Sequence, residues 1–130
     1  MTALKSFGNG YRALVIGASG ALGQAFCDAL EADPGCALVT RLSRNSSPSL
    51  DLEDAASIPR AAEAVAQHAP YHLIIVSSGL LHRPGIRPEK SLSALDADAL
   101  QAVFQVNTLG PALLLRDFLP LLDPQGAMAL

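Results

Sequence analysis

Cysteine is scarce in these 130 residues: Cys27 and Cys36 are the only two, they lack metal-ligand spacing, and two thiols cannot build a disulfide framework. They read as small core residues of a cytoplasmic protein. Basic charge is also thin. Nine Lys and Arg stand scattered against twelve acidic residues, for a formal net charge of −3. No basic stripe exists to neutralise a phosphodiester backbone, which points away from nucleic acid as a partner. No apolar stretch reaches the roughly 18 residues of a membrane span. Arg12 does precede the mostly apolar run 13–23, the length of a signal-peptide core. Gly17, Gly20 and Gly23 interrupt that run, however, and the bulky Phe26 stands before Cys27, against the processing rules of exported proteins. The length admits one domain or part of one, because two domains would each be too small to bury a secure core.

The chain that remains alternates two kinds of apolar pattern. Residues 1–10 contain Gly8 and Gly10 and no apolar period, and read as a loose terminus. The run 13–16 is continuous, short and bounded by glycine, which suits a strand covered on both faces. From Ala21 the period becomes helical, with Leu22, Ala25, Phe26, Ala29 and Leu30, and Pro34-Gly35 supplies the stop. A second apolar strand over 36–42 leads into a turn-rich stretch, 43–48, and a brief third strand is expected around Leu50 to Leu52. Ser57 is placed to cap a helix with Pro59 in its first turn and Ala62, Val65 and Ala66 on its buried side. The run 73–76 is another double-faced strand. Helical pattern resumes near Ser93 and runs, with a break, through Leu100, Phe104, Asn107, Leu114, Phe118 and Leu122, before a strand-like end at 127–130. Alternating strands and helices imply right-handed crossovers and a doubly wound parallel α/β sheet of Rossmann type.

The turn Gly17-Ala18-Ser19-Gly20-Ala21-Leu22-Gly23 lies between a strand and a helix, the context a dinucleotide site requires. Glycine there lets the backbone approach a pyrophosphate, and the helix that follows aims N–H groups and its positive end at the anion. The spacing is G-x-x-G-x-x-G, and such a turn can also exist merely for close packing. Position 44 adds context. An NAD site places an acid about 20 residues past the turn to bond the ribose hydroxyl, whereas the second strand here ends in Leu42-Ser43-Arg44, with Arg41 just before. A guanidinium at that place suits a 2′-phosphate and so NADP rather than NAD. The other reading is that Arg41 and Arg44 are ordinary surface charges.

With these motifs the chain resembles the short-chain dehydrogenase/reductase family from Ala13 to Leu130. The resemblance implies a strand order of 3-2-1-4-5, with the chain stopping at the start of strand 5 and forming a single, incomplete cofactor domain over residues 1–130. It implies that Gly17, Ser19, Gly20, Leu22 and Gly23 hold pyrophosphate, Arg44 the 2′-phosphate of NADP, Asp51 and Leu52 the adenine, and Gly79 the adjoining ribose. Ser77-Ser78-Gly79 stands at the place of the family's Asn-Ala-Gly motif, with only the glycine kept. Asn107 matches the family's helix asparagine, which supports a water-linked proton relay. An asparagine inside a long helix can also simply mark a bend. The stretch 79–92 is similar to the C-factor-like bacterial branch. His82 within it reads as a solvated loop histidine, and His68 and His72, with no third ligand at zinc spacing, as surface residues.

The family's chemistry uses a serine, a tyrosine and a lysine four residues beyond the tyrosine. Four residues beyond Tyr11 stands Val15, and four beyond Tyr71 stands Ile75, so no Tyr-x-x-x-Lys occurs. The resemblance therefore implies the cofactor-binding half of a carbonyl-reducing, alcohol-oxidising enzyme about twice this length, inactive by itself. A nucleotide-binding module without chemistry and a truncated remnant are the competing readings. The helix 98–122 is apolar around much of its circumference, which the family resemblance explains by packing against a second copy of the chain.

Overall fold

The computed structural model describes residues 4–79 and 83–130, so that His82 lies outside the described residues. The apolar run 13–16 forms the inner part of β1 (Tyr11–Ile16), and all four of its side chains are fully buried. A strand of this kind needs cover on both faces, and alternate residues divide the core accordingly. Tyr11, Ala13 and Val15 pack with Cys27 and Leu30 of α1 (Ala21–Glu31). Leu14 and Ile16 face the opposite way, toward Ile58, Ala61 and Val65 of α2 (Ser57–Val65) and Leu114 and Phe118 of α4 (Gly110–Phe118).

Among the described residues the sheet has four parallel strands in the order β2-β1-β3-β4, where β2 is Cys36–Leu42, β3 is Tyr71–Val76 and β4 is Leu122–Ala129. This is the doubly wound α/β fold expected from the alternation. Ile16 pairs with Leu42 on one side and with Val76 on the other, so three strands end level. The chain leaves β1 for a neighbour on one side and later returns to the other side. A crevice opens at such a reversal, outside the carboxyl ends of the strands.

Several expectations are corrected in detail. The third strand around Leu50 to Leu52 does not form, so the observed order lacks the outer strand of 3-2-1-4-5. Leu50 and Leu52 are buried, but the backbone bonds go elsewhere: the Leu50 N–H donates to the Ser43 carbonyl at 2.9 Å and the Asp51 N–H to the Ser57 hydroxyl at 2.9 Å. Ser57 is thus the first residue of α2 and a staple for Asp51, and Ala66 beyond the helix is exposed. In α1 the period holds while the face differs: Gly23, Cys27 and Leu30 are buried, whereas Leu22 and Phe26 look outward at 68% and 38% exposure. The helical pattern near Ser93 is a single tight turn, and α3 (Ala97–Phe104) starts only after Asp96, whose carboxylate accepts the Ala99 N–H. The final strand begins at Leu122 and not at 127, pairing with Tyr71 before a register shift that passes Pro124 and Gly126.

Of the stretch 1–10, read as a loose terminus, the described residues 4–10 are tied down. The Leu4 N–H donates to Asp33 at 2.9 Å, and the Phe7 ring lies tilted on Tyr11 with centroids 5.5 Å apart. His68 is exposed as expected, but His72 is half-buried in β3, where its Nδ1 accepts the Arg12 N–H at 3.0 Å.

Candidate functional site

The level strand ends send three loops to one place, and between them lies a cleft of about 280 Å³. The first loop is the glycine turn. The Gly17 and Ala18 N–H groups both donate to the Leu42 carbonyl, at 2.9 and 3.0 Å, which bends the chain sharply as it leaves β1. Gly17 adopts a positive φ of 85°, and a Cβ there would meet Ser78 Oγ at 2.8 Å and the Ser78 nitrogen at 2.9 Å, so no other residue fits the turn. Gly20 stands in extended conformation at the helix N-cap, where a Cβ would meet only the Gly17 carbonyl oxygen at 3.6 Å. Gly20 and Ser19 both line the cleft. The first turn of α1 carries no side-chain cap, and N–H groups at such a helix start have no intrahelical acceptor.

The second loop, 43–50, is folded on its own serines. Ser46 Oγ accepts the Ser43 N–H at 2.8 Å and donates toward the carbonyls of Ser43 and Pro48, and Ser49 Oγ donates to the Arg44 carbonyl at 2.9 Å. This loop presents Arg44 to the cleft. Its neighbour Arg41 goes the other way and pairs with Glu31 at the end of α1 at 2.6 Å. The structure therefore separates the two arginines, and the one it turns to the cleft is Arg44, the residue expected at the 2′-phosphate. Arg41 is engaged by a carboxylate, whereas Arg44 forms no ion pair among the described residues.

The third loop follows β3. Ser77 Oγ lies 3.1 Å from the Ile16 carbonyl and 3.3 Å from that of Gly17, so its hydroxyl ties the end of β3 to the glycine turn. Gly79 is exposed at the cleft wall, where among the described residues an added Cβ would meet only Asn107 Oδ1, at 3.8 Å. Asn107 itself stands in a widened turn, Gln105–Leu109, between α3 and α4. Pro111 has no N–H to continue the ladder, and the Gly110 N–H reaches back five residues to the Gln105 carbonyl. The bend reading of Asn107 thus describes its backbone, while its side chain faces the third loop.

Of the expected cofactor residues, Gly17, Ser19, Gly20, Arg44, Asp51, Leu52 and Gly79 line the cleft. Leu22 lies on the outer face of α1, and Gly23 is buried beneath the turn. Sequence reasoning missed Ser43, Leu50, Glu53, Arg83 and Val106, which also line the cleft. Glu53 and Arg83 form an ion pair there, and the Arg83 hydrogen bonds hold the Glu53 carboxyl below the usual carboxylate range, burial opposing and the nearby Arg44 charge adding to the effect.

No protein-family model and no curated protein matches the chain. Solved structures do. A short-chain dehydrogenase from Burkholderia cenocepacia in complex with NADP is 28% identical, with a TM-score of 0.72 over 92% of this chain and 51% of that one. NADPH-bound carbonyl reductase from chicken fatty liver is 23% identical, with a TM-score of 0.73 over 88% of this chain and 49% of the other. A variant of a Serratia marcescens short-chain dehydrogenase/reductase is 19% identical, with a TM-score of 0.74 over 92% and 56%. The chain spans about half the length of these structures and shares the fold of short-chain dehydrogenases/reductases along it.

Proposed function

We propose that these residues form the cofactor-binding half of an NADP-dependent short-chain oxidoreductase, which interconverts a carbonyl and an alcohol by hydride transfer. The observation that carries the reading is a cleft at the level strand ends with Arg44 on its wall and no ion-pair partner for that arginine among the described residues. The glycine turn suits a pyrophosphate because Gly20 leaves open space before an uncapped helix start. Leu22 and Gly23 contribute there through backbone N–H groups of the first turn. Arg44 takes the 2′-phosphate, Asp51 and Leu52 the adenine and Gly79 the adjoining ribose. Neighbours bound to NADP and NADPH support a nicotinamide cofactor, and Arg44 is what favours NADP over NAD.

The bound cofactor supplies the hydride. This chain's residues bind and orient it, and Asn107 holds a water for proton transfer. The acid is not among these 130 residues, which contain no Tyr-x-x-x-Lys, so the chain by itself binds nucleotide without turnover. Among the described residues no helix is long and apolar enough to cross a membrane, and the free thiols Cys27 and Cys36 accord with a cytoplasmic protein. We assign a second copy of the chain as the partner of the segment 98–122, which leaves Phe104, Leu109 and Leu119 exposed.

Calorimetric titration of the purified chain with NADPH and NADH tests the reading. NADPH binds more tightly, and Arg44→Ala removes about 1.5–3 kcal/mol of that binding, the worth of hydrogen bonds to a charged group, while NADH binding and the Arg41→Ala variant are unaffected. A folded chain that binds neither nucleotide overturns the assignment.

A further inference from the structure

The segment 50–53, which lines the cleft, is tied down residue by residue. Leu50 bonds Ser43 at 2.9 Å, Asp51 bonds Ser57 at 2.9 Å, and the Leu52 carbonyl accepts the Gln105 side-chain amide at 3.1 Å. Glu53 takes the guanidinium of Arg83 through both carboxylate oxygens, with Nη2 2.8 Å from Oε1 and Nη1 on Oε2. The arginine backbone is fixed as well. Arg83 and Ile86 exchange both backbone hydrogen bonds, each 2.8 Å long, across a Pro84-Gly85 turn in which Gly85 has a φ of 84° and Ile86 is buried. A planar cation is thus held from its backbone and from its tip, and it lines the cleft beside Leu52 and Glu53.

The pair is about one-third exposed on each side, at 36% for Arg83 and 29% for Glu53, and ion pairs so placed add little to fold stability. What a two-point contact supplies is orientation, because it sets the plane of the guanidinium. A second feature points the same way. Glu53 places a negative charge near Arg44, at the wall where an anionic ligand would bind, which is unfavourable unless the carboxylate has another task.

We propose that Arg83 is a further nucleotide-binding residue, whose guanidinium plane, set by Glu53, stacks on the adenine ring. The proposal rests on the reading of the cleft as an adenine-nucleotide site. Arginine is the side chain suited to this contact, since its delocalised, weakly hydrated plane packs on an aromatic face where a lysine ammonium stays solvated. Glu53 is then a positioning residue, and its substitution has a sign that separates the two roles open to it. Acting only as a charge, Glu53 repels anionic ligands, and Glu53→Gln tightens them. Acting as the holder of Arg83, its loss weakens them.

The test is titration of the chain and its Arg83→Lys, Arg83→Ala, Glu53→Gln and Arg44→Ala variants with 5′-AMP and with adenosine 2′,5′-bisphosphate. Circular dichroism checks that each variant is folded. Both Arg83 variants bind both ligands about three- to tenfold more weakly, and Arg83→Lys keeps the charge while losing the plane. Glu53→Gln weakens 5′-AMP in the same direction, and Arg44→Ala affects the bisphosphate alone. Wild-type affinity for 5′-AMP in folded Arg83→Lys overturns the stacking role while leaving the site itself intact, and tighter binding by Glu53→Gln overturns the positioning role. A wild-type chain that binds neither ligand overturns the site and this proposal together.

Discussion

Gly23 packs directly on Gly17: a Cβ on the former would lie 2.0 Å from the carbonyl oxygen of the latter and 2.8 Å from Ala18 Cα. The third glycine of the motif therefore acts beneath the turn, bringing α1 close enough for its first N–H groups to face the cleft. Because the obstruction is backbone and not a flexible side chain, Gly23→Ala must push the helix away from β1. The expected cost is that of overpacking a tight core, about 1–3 kcal/mol, read as a lower midpoint in urea unfolding. Nucleotide affinity falls with it. An alanine variant as stable as the wild type would show that the helix moves freely against the turn.

How far the sequence could be read depended on whether an interaction was local. The strand at 13–16 was legible because burial on two faces demands a continuous apolar run, and the turn after it because a φ of 85° at Gly17 requires glycine. Leu50 and Leu52 misled because two leucines two positions apart imitate a strand, while the groups that take their loop's backbone bonds, Ser43 and Ser57, act by geometry. The engagement of Arg41 was not legible, since the carboxylate that pairs with it sits at the far end of α1. Ser77 looked like a departure from the expected Asn-Ala-Gly motif, yet its hydroxyl binds the Ile16 and Gly17 carbonyls and holds two strand ends together. The Glu53–Arg83 pair joins residues thirty apart, with no pattern in the intervening sequence to announce it.

Acid sensitivity follows from Asp33. Asp33 is 2% exposed, and its carboxylate accepts the Leu4 N–H at 2.9 Å, the Tyr11 hydroxyl at 2.7 Å and the Gly35 N–H at 2.8 Å. The Leu4 bond, then those from Tyr11 and Gly35, hold its pKa below the ordinary value of 3.8, against the opposing effect of burial. A depressed carboxylate pKa stabilises the fold above the unfolded-state value, and the contribution is lost as pH falls through the folded-state value. Thermal unfolding followed from pH 7 downward should show a plateau that breaks below pH 3.8. Tyr11→Phe removes one of the three donors, raises the folded-state pKa toward the unfolded-state value, and so shrinks the stability lost below pH 3.8 without shifting its onset. An unchanged acid profile in that variant would remove Asp33 as its source.

The outer surface of the α3–α4 segment makes a prediction about assembly. Leu114 and Phe118 on its inner side are fully buried against the sheet, so core packing does not account for Phe104 at 59% and Leu109 at 54% exposure on the other side. The widened turn Gln105–Leu109 starts directly after Phe104, ends on Leu109 and carries Asn107, so whatever covers the apolar face also touches the turn that faces Gly79. Sedimentation velocity of the chain over a concentration series should therefore show self-association. Phe104→Ser with Leu109→Ser should abolish it and leave unfolding midpoints nearly unchanged, because exposed side chains contribute within about 0.5 kcal/mol to the fold. If the double variant associates as the wild type does, the second copy does not seat on this face.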